Sequence, residues 1–220
     1  MRSAIPILVL VMVCLTMTPA QAEHDSSRWE DEIQFFEQTD KENPPPQNGI
    51  LFIGSSSIRF WDVDAFFPNL PVINRGFGGS QIADSIHFAD RILIPYHPKT
   101  VVFYAGDNDI AAGKSAEQVL EDYKTFAGIV RKNLPETRLI YIAIKPSLSR
   151  WNLVDEMRKA NDLIEKEASQ DNHQIFIDID APMIGEDGKP KKELFLEDGL
   201  HLNNKGYEIW SDLVREHLSE

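Results

Sequence analysis

Near the C-terminal end of the 220-residue chain, Asp198-Gly199-Leu200-His201 sets a carboxylate and an imidazole three residues apart on one turn. Such a carboxylate can accept from the imidazole Nδ1, fix the ring tautomer and leave Nε2 to take a proton from a hydroxyl. The hydroxyl that fits lies far upstream, where the apolar run Ile50-Leu51-Phe52-Ile53 stops at Gly54 and is followed by Ser55, Ser56 and Ser57. Ser56, the middle one, is the candidate nucleophile, because serine attacks only when a base removes its proton. Simpler roles stand beside these: the aspartate of Asp-x-x-His can cap a helix start, and Ser55 or Ser57 can do the same. Hydroxyls and free N–H groups at a helix start also suit a phosphate, but that role predicts further glycines in the loop, and none follows Gly54 there.

Acyl transfer also needs donors aimed at the oxyanion. Gly79, in Gly76-Phe77-Gly78-Gly79, can offer a backbone N–H; Asn108, in Gly106-Asp107-Asn108-Asp109, can offer its side-chain amide; Ser56 adds its own N–H. A dinucleotide loop would place its third glycine at position 81, which is Gln81. A calcium loop would need an oxygen ligand and a glycine where Ala111 and Ala112 stand. A purely structural Asx turn at Asp107-Asn108-Asp109 stays open.

The elements that must bring these residues together are five apolar, β-branched or aromatic runs: Ile50–Ile53, Val72–Asn74, Thr100–Tyr104, Arg138–Ala143 and Gln174–Ile177. They are continuous rather than alternating, as strands covered on both faces should be. Helical periodicity fills the gaps. Ile82, Ile86, Ala89 and Leu93 share one face, Val119, Tyr123, Phe126 and Val130 a second, and Leu153, Met157, Ala160, Ile164 and Ala168 a third; a last helix runs from about Asn204 through Leu213. Ser27 with Glu30, and Ser115 with Gln118, have capping-box spacing. Alternating strands and helices predict an α/β fold, a three-layer α/β/α sandwich around a parallel sheet. In that architecture the loops at the carboxyl ends of the strands gather at a switch point where ligands bind.

Residues 1–22 read as a signal peptide: Arg2 precedes an apolar stretch from Ile5 to Met17, and Ala20-Gln21-Ala22 has the small-x-small form of a cleavage site. An uncleaved anchor is the rival, disfavoured by the short stretch and by Pro6. The expectation is cleavage after Ala22, export to the periplasm or beyond, no stable membrane insertion afterwards, and one domain over residues 23–220. Cys14 lies inside the leader, so the mature chain would have no thiol for a disulfide or a cysteine-bound metal. The net charge of −13 repels nucleic acid and anionic lipid, and Lys189-Pro190-Lys191-Lys192 is too small a basic cluster to reverse that.

The four blocks taken in order, Gly54-Ser55-Ser56-Ser57, Asn74-Arg75-Gly76-Phe77-Gly78-Gly79, Gly106-Asp107-Asn108-Asp109 and Asp198-Gly199-Leu200-His201, resemble those of the SGNH, or GDSL-type, hydrolase superfamily over roughly residues 49 to 210. The resemblance implies Ser56 as nucleophile, His201 as base, Asp198 as its orienting partner, and Gly79 and Asn108 as oxyanion donors. It also implies a flavodoxin-like five-stranded sheet of order 2-1-3-4-5. One position departs: the superfamily usually has Asp before the nucleophile, where this chain has Ser55, which bears on the packing of that loop and not on the proton relay.

The expected function is an exported serine ester hydrolase working through an acyl-enzyme, with no metal and no organic cofactor. The chain has little room for a lid, so short acyl groups such as acetate on a carbohydrate are the expected substrates. A lysophospholipid or other lipid ester is the alternative, and a catalytically silent binding protein on the same scaffold is a third reading. Trp151, after Lys145-Pro146-Ser147 and Arg150 at the same edge, is a candidate pocket residue or a packing residue. His24, His87, His97, His173 and His217 read as surface or helix-face residues.

Overall fold

The computed structural model describes residues 24–218. The expected leader, with its cleavage site, lies outside the described residues. A single turn at Ser27–Trp29 opens α1 (Glu30–Glu42), and then β1 (Ile50–Gly54), the short α2 (Ser56–Arg59) and α3 (Val63–Phe66), and β2 (Val72–Gly76) follow. Next come α4 (Ile82–His87), α5 (Ala89–Ile92), β3 (Thr100–Tyr104), α6 (Asp107–Ala111), α7 (Ala116–Asn133) and β4 (Arg138–Ile142). The chain continues through α8 (Val154–Ala168), β5 (Gln174–Ile177), α9 (Asp180–Met183) and α10 (Asn204–Glu216). All five strands are parallel, in the order β2-β1-β3-β4-β5.

Parallel strands need crossover helices on both faces, and the residues of each strand divide accordingly. Leu51 and Ile53, Val101 and Phe103, and Leu139 and Tyr141 face one core, which holds Ile82, Val119, Tyr123, Phe126, Met157 and Ile164 of the covering helices. Ile50 and Phe52, Val102 and Tyr104, and Ile140 and Ile142 face the other, which holds Ile58, Trp61, Tyr207, Trp210 and Val214. Every residue of β1 and β3 is buried, the burial that their unbroken apolar runs predict.

Several boundaries differ from the sequence expectation. Strand β1 runs one residue further, to Gly54, β2 runs two further, to Gly76, and β4 stops at Ile142 rather than Ala143. The face of Ile82, Ile86, Ala89 and Leu93 is carried by two helices, because the chain bends at Phe88, whose buried ring packs edge-on to Phe77. The bend turns both Ile82 and Ile92 fully into the core and leaves Ile86 half-buried. Ser115 and Gln118 form the expected capping box. Ser27 and Glu30 do not, because a 3-10 turn precedes α1 and puts Trp29 in the cap position.

Candidate active site

Because β1 connects to β2 on one side and the sheet continues to β3 on the other, the carboxyl ends of β1 and its neighbours form the switch point at which ligands bind in open α/β sheets. At the end of β1 the chain must turn against β3 with no room for a side chain. Gly54 has φ +135°, and a Cβ there would lie 1.9 Å from Tyr104 O, so only glycine fits. Ser55 N donates to that same Tyr104 O at 2.9 Å, and Ser56 begins α2. Buried Ile58 and Trp61 anchor this one-turn helix in the core below.

His201, the candidate base, lies on the turn just before α10. Asn203 caps that helix, accepting from Lys205 N at 2.9 Å and Gly206 N at 3.3 Å. Tyr207 donates to Ser57 O at 2.9 Å, and Trp61 Nε1 donates to Ser211 Oγ at 3.2 Å, so the helix behind His201 is pinned to the segment that carries Ser56. His201 Nε2 then stands 3.0 Å from Ser56 Oγ, and His201 Nδ1 stands 2.6 Å from Asp198 Oδ2. Asp198 Oδ1 accepts from Leu200 N and His201 N, both at 2.9 Å. Burial pushes the Asp198 carboxyl up, but the bond to His201 and the two amides outweigh it and hold the group down to about 2. The carboxylate therefore stays charged and keeps Nε2 available to the serine.

The remaining loops are tied to this line and to one another. Phe77 N donates to Gly54 O at 2.9 Å, Ser80 Oγ donates to Phe77 O at 2.8 Å, and Asn108 Nδ2 donates to Ser80 O at 2.9 Å. Arg150 Nη2 donates to Asn108 Oδ1 at 3.0 Å, and Ser149 N donates to Gly199 O at 3.1 Å, closing the ring back to the Asp198 turn. Gly79 takes the left-handed φ of +75° in its turn, and Arg28 donates to its carbonyl at 3.2 Å. Among the described residues the N–H groups of Ser56 and Gly79 donate to no acceptor. The amide of Asn108 keeps a second hydrogen beyond the one given to Ser80. Free donors on loops bonded in this way can, where they reach a substrate, stabilise negative charge on a carbonyl oxygen under attack.

The candidates Ser56, Asp198 and His201 thus meet in one hydrogen-bonded line, and Gly79 and Asn108 sit on loops bonded to it. Trp151 follows Arg150 in the adjoining loop; it is half-buried, with the Arg158 guanidinium 5.6 Å from its ring centroid. Ser55 occupies the cap position of α2, but its side chain makes no cap bond; it is completely buried and its Oγ has no hydrogen-bond partner. His24 is not a simple surface residue, because its Nε2 stands 2.8 Å from Oδ1 of the fully buried Asp84.

Two further features escaped the sequence reading. The exposed ring of Phe60 meets the His201 ring edge-on at 5.0 Å, and its position four residues after Ser56 on a helix was the available signal. A buried charge cluster also lies behind Asn108: Asp107 Oδ2 accepts from Lys145 Nζ at 3.0 Å and lies 3.1 Å from Arg150 Nη1, and Lys145 Nζ also donates to Tyr104 Oη at 3.1 Å. Its signal was a lysine directly after the apolar run of β4.

The model of the GDSL-like Lipase/Acylhydrolase family matches residues 61–209, a span that begins five residues after Ser56 and includes Gly79, Asn108, Asp198 and His201. Among solved structures, a Streptococcus pneumonia protein named for platelet activating factor superposes with a TM-score of 0.77 at 22% identity, over 87% of this chain and 94% of that one. A point mutant of an acetyl-xylooligosaccharide esterase from Geobacillus Stearmophilus gives 0.61 at 15% identity, over 80% and 96%. At these identities the likeness carries the fold. A curated relative, N-acylneuraminate cytidylyltransferase of Escherichia coli, is 24% identical over 169 residues, which are 76% of this chain and 39% of that protein. This chain therefore spans about two fifths of that relative's length. With a match across two thirds of its length and a five-stranded sheet of order 2-1-3-4-5, the chain belongs to the GDSL-like lipase/acylhydrolase family.

Proposed function

We propose that this protein is an exported serine ester hydrolase that works through an acyl-enzyme on short acyl esters, acetate on a carbohydrate being the substrate class that fits best. Ser56 Oγ attacks the ester carbonyl while His201 Nε2 takes its proton, and Asp198 supports the imidazolium that forms. The oxyanion rests on the N–H groups of Gly79 and Ser56 and on Asn108 Nδ2. His201 then protonates the departing alcohol, and a water activated by the same imidazole releases the acid. The observation that carries this reading is the unbroken line Ser56, His201, Asp198, with contacts of 3.0 and 2.6 Å. The same line weighs against a silent binding protein, since a relay without use would have no reason to keep both contacts.

For the substrate, an open cleft is proposed, with Trp151 as a wall of it. A longer lipid acyl group has one observation in its favour: Phe60 and Leu196, 52% and 50% exposed, lie close to His201 in space or by backbone bonding. A hydrolysis series of p-nitrophenyl esters separates the two. Activity should fall steadily from acetate to longer chains, and a maximum at eight carbons or more would overturn the short-chain reading. Export is proposed from the leader pattern of residues 1–22; an N-terminus found near residue 23 on protein recovered outside the cytoplasm would bear it out, and protein confined to the cytoplasm with Met1 intact would refute it.

A further inference from the structure

An asparagine serves as an oxyanion donor only if its amide is the right way round. Turned by 180°, Asn108 would present a carbonyl oxygen to developing negative charge. Two contacts set the orientation: Nδ2 donates to Ser80 O, and Oδ1 accepts from Arg150 Nη2. A flipped amide would face oxygen with oxygen at Ser80 and N–H with N–H at Arg150. Of the two, the Arg150 contact is the charged one, and charge-assisted bonds are about twice as strong as neutral ones.

Arg150 is itself held in place. Its Nη1 lies 3.1 Å from Asp107 Oδ2, so one guanidinium spans two adjacent residues of α6. Asp107 is a buried carboxylate that also takes Lys145, a lysine with 1% of its side chain exposed. Burial pushes the Asp107 carboxyl up, and Lys145 and Arg150 together hold it below the usual carboxylate value. Lys145 and Asp107 cancel in charge, so the cluster carries one net positive charge. The Arg150 guanidinium is the member of the cluster that touches Asn108. Hydrogen bonding to a cation draws electron density toward Oδ1 and makes the Nδ2 hydrogens better donors. Ser149 N, one residue away, is bonded to Gly199 O in the Asp198 turn, so the same loop is fixed from the base side as well.

The geometry points to Arg150 as the positioning residue of the oxyanion site: it locks the Asn108 amide with Nδ2 toward the substrate and strengthens that donor as the oxyanion forms. This rests on the serine hydrolase reading given above. The bond is made in the free enzyme, but the help it gives is realised only in the transition state, so it should appear in kcat and not in KM.

The test is a double-mutant cycle of Arg150→Met with Asn108→Ala, read with p-nitrophenyl acetate. In the wild-type background Arg150→Met should lower kcat about 30-fold to 100-fold and change KM less than about threefold. In the Asn108→Ala background it should lower kcat by no more than about threefold, because its target is gone. Arg150→Lys, which keeps the charge but cannot span Asp107 and Asn108 together, should recover part of the loss. Arg150→Lys and Arg150→Gln are carried through the same cycle, so loss of the methionine variant to misfolding leaves the comparison standing. Equal losses in both backgrounds, or a loss confined to KM, would overturn the assignment. Ser56→Ala keeps the two readings apart: full turnover by that variant sinks the serine mechanism, whereas its inactivity together with additive Arg150 effects sinks the Arg150 role alone.

Discussion

Around Ser56 and His201 the supporting contacts are apolar or neutral: Ile58 and Trp61 sit in the core, Trp61 stacks on Tyr207 at 5.6 Å, and Tyr207 reaches the backbone of Ser57. Around Asn108 they are ionic: Asp107 pairs with Lys145 and Arg150, and Lys145 donates to Tyr104. The difference follows from what each side must do. The proton relay needs geometry and a neutral imidazole, so a nearby fixed cation would depress the base. The proposed oxyanion side would use positive potential, which a cluster with one excess cation can supply before the reaction begins.

This contrast can be broken from either side. The largest effect is expected on the relay: Asp198→Asn leaves the ring with the wrong tautomer and should lower kcat on the order of a thousandfold, measured with a short-chain ester. The loss should be smaller than for a fully buried partner, because the Asp198 side chain is 47% exposed. Since the Asp198 carboxyl is held down to about 2, the stability it contributes is full above the ordinary value of 3.8 and is lost progressively as pH falls from there through about 2.

On the ionic side, Lys145→Met removes one of two cations from a buried carboxylate. It should cost about 3 kcal/mol of stability in urea unfolding, as breaking buried pairs does. A change below about 1 kcal/mol would mean that Arg150 alone satisfies Asp107. Neighbouring Asp109 is fully buried, and burial raises its carboxyl to about 6 against the opposing pull of Lys114. Its folded value lies above the unfolded 3.8, so the stability it contributes is full below 3.8 and is lost as pH rises through about 6. The stability of the wild type relative to Asp109→Asn should therefore fall by about 3 kcal/mol between pH 3.8 and pH 6, and a constant difference would contradict this burial effect. The smallest effect is expected at Ser55, whose buried hydroxyl has no partner. Ser55→Ala should leave kcat within about twofold and keep or raise the melting temperature, because an unsatisfied buried hydroxyl contributes no net stability.

The same contrast explains what the sequence disclosed. The parallel sheet was legible because β1 and β3 are buried on both faces and so carry unbroken apolar runs. The relay was legible because its two C-terminal members share one turn and Ser56 lies two residues after Gly54, a glycine that a tight turn requires. The bend at Phe88 was hidden, because the periodicity from Ile82 to Leu93 is equally good for one helix or two. The capping role of Ser55 was misread because a favoured residue type at a helix start does not fix where its side chain points. The charge cluster was hidden for another reason: Asp107, Lys145 and Arg150 come from loops about forty residues apart, and no local pattern records such a pairing.

The central claim is that Ser56 is activated by His201. Treatment with a serine-directed phosphonate followed by peptide mass mapping tests it most directly. One adduct is expected, on Ser56, lost together with at least a thousandfold of the turnover in Ser56→Ala. An adduct elsewhere, or ester hydrolysis by Ser56→Ala at the wild-type rate, would contradict it.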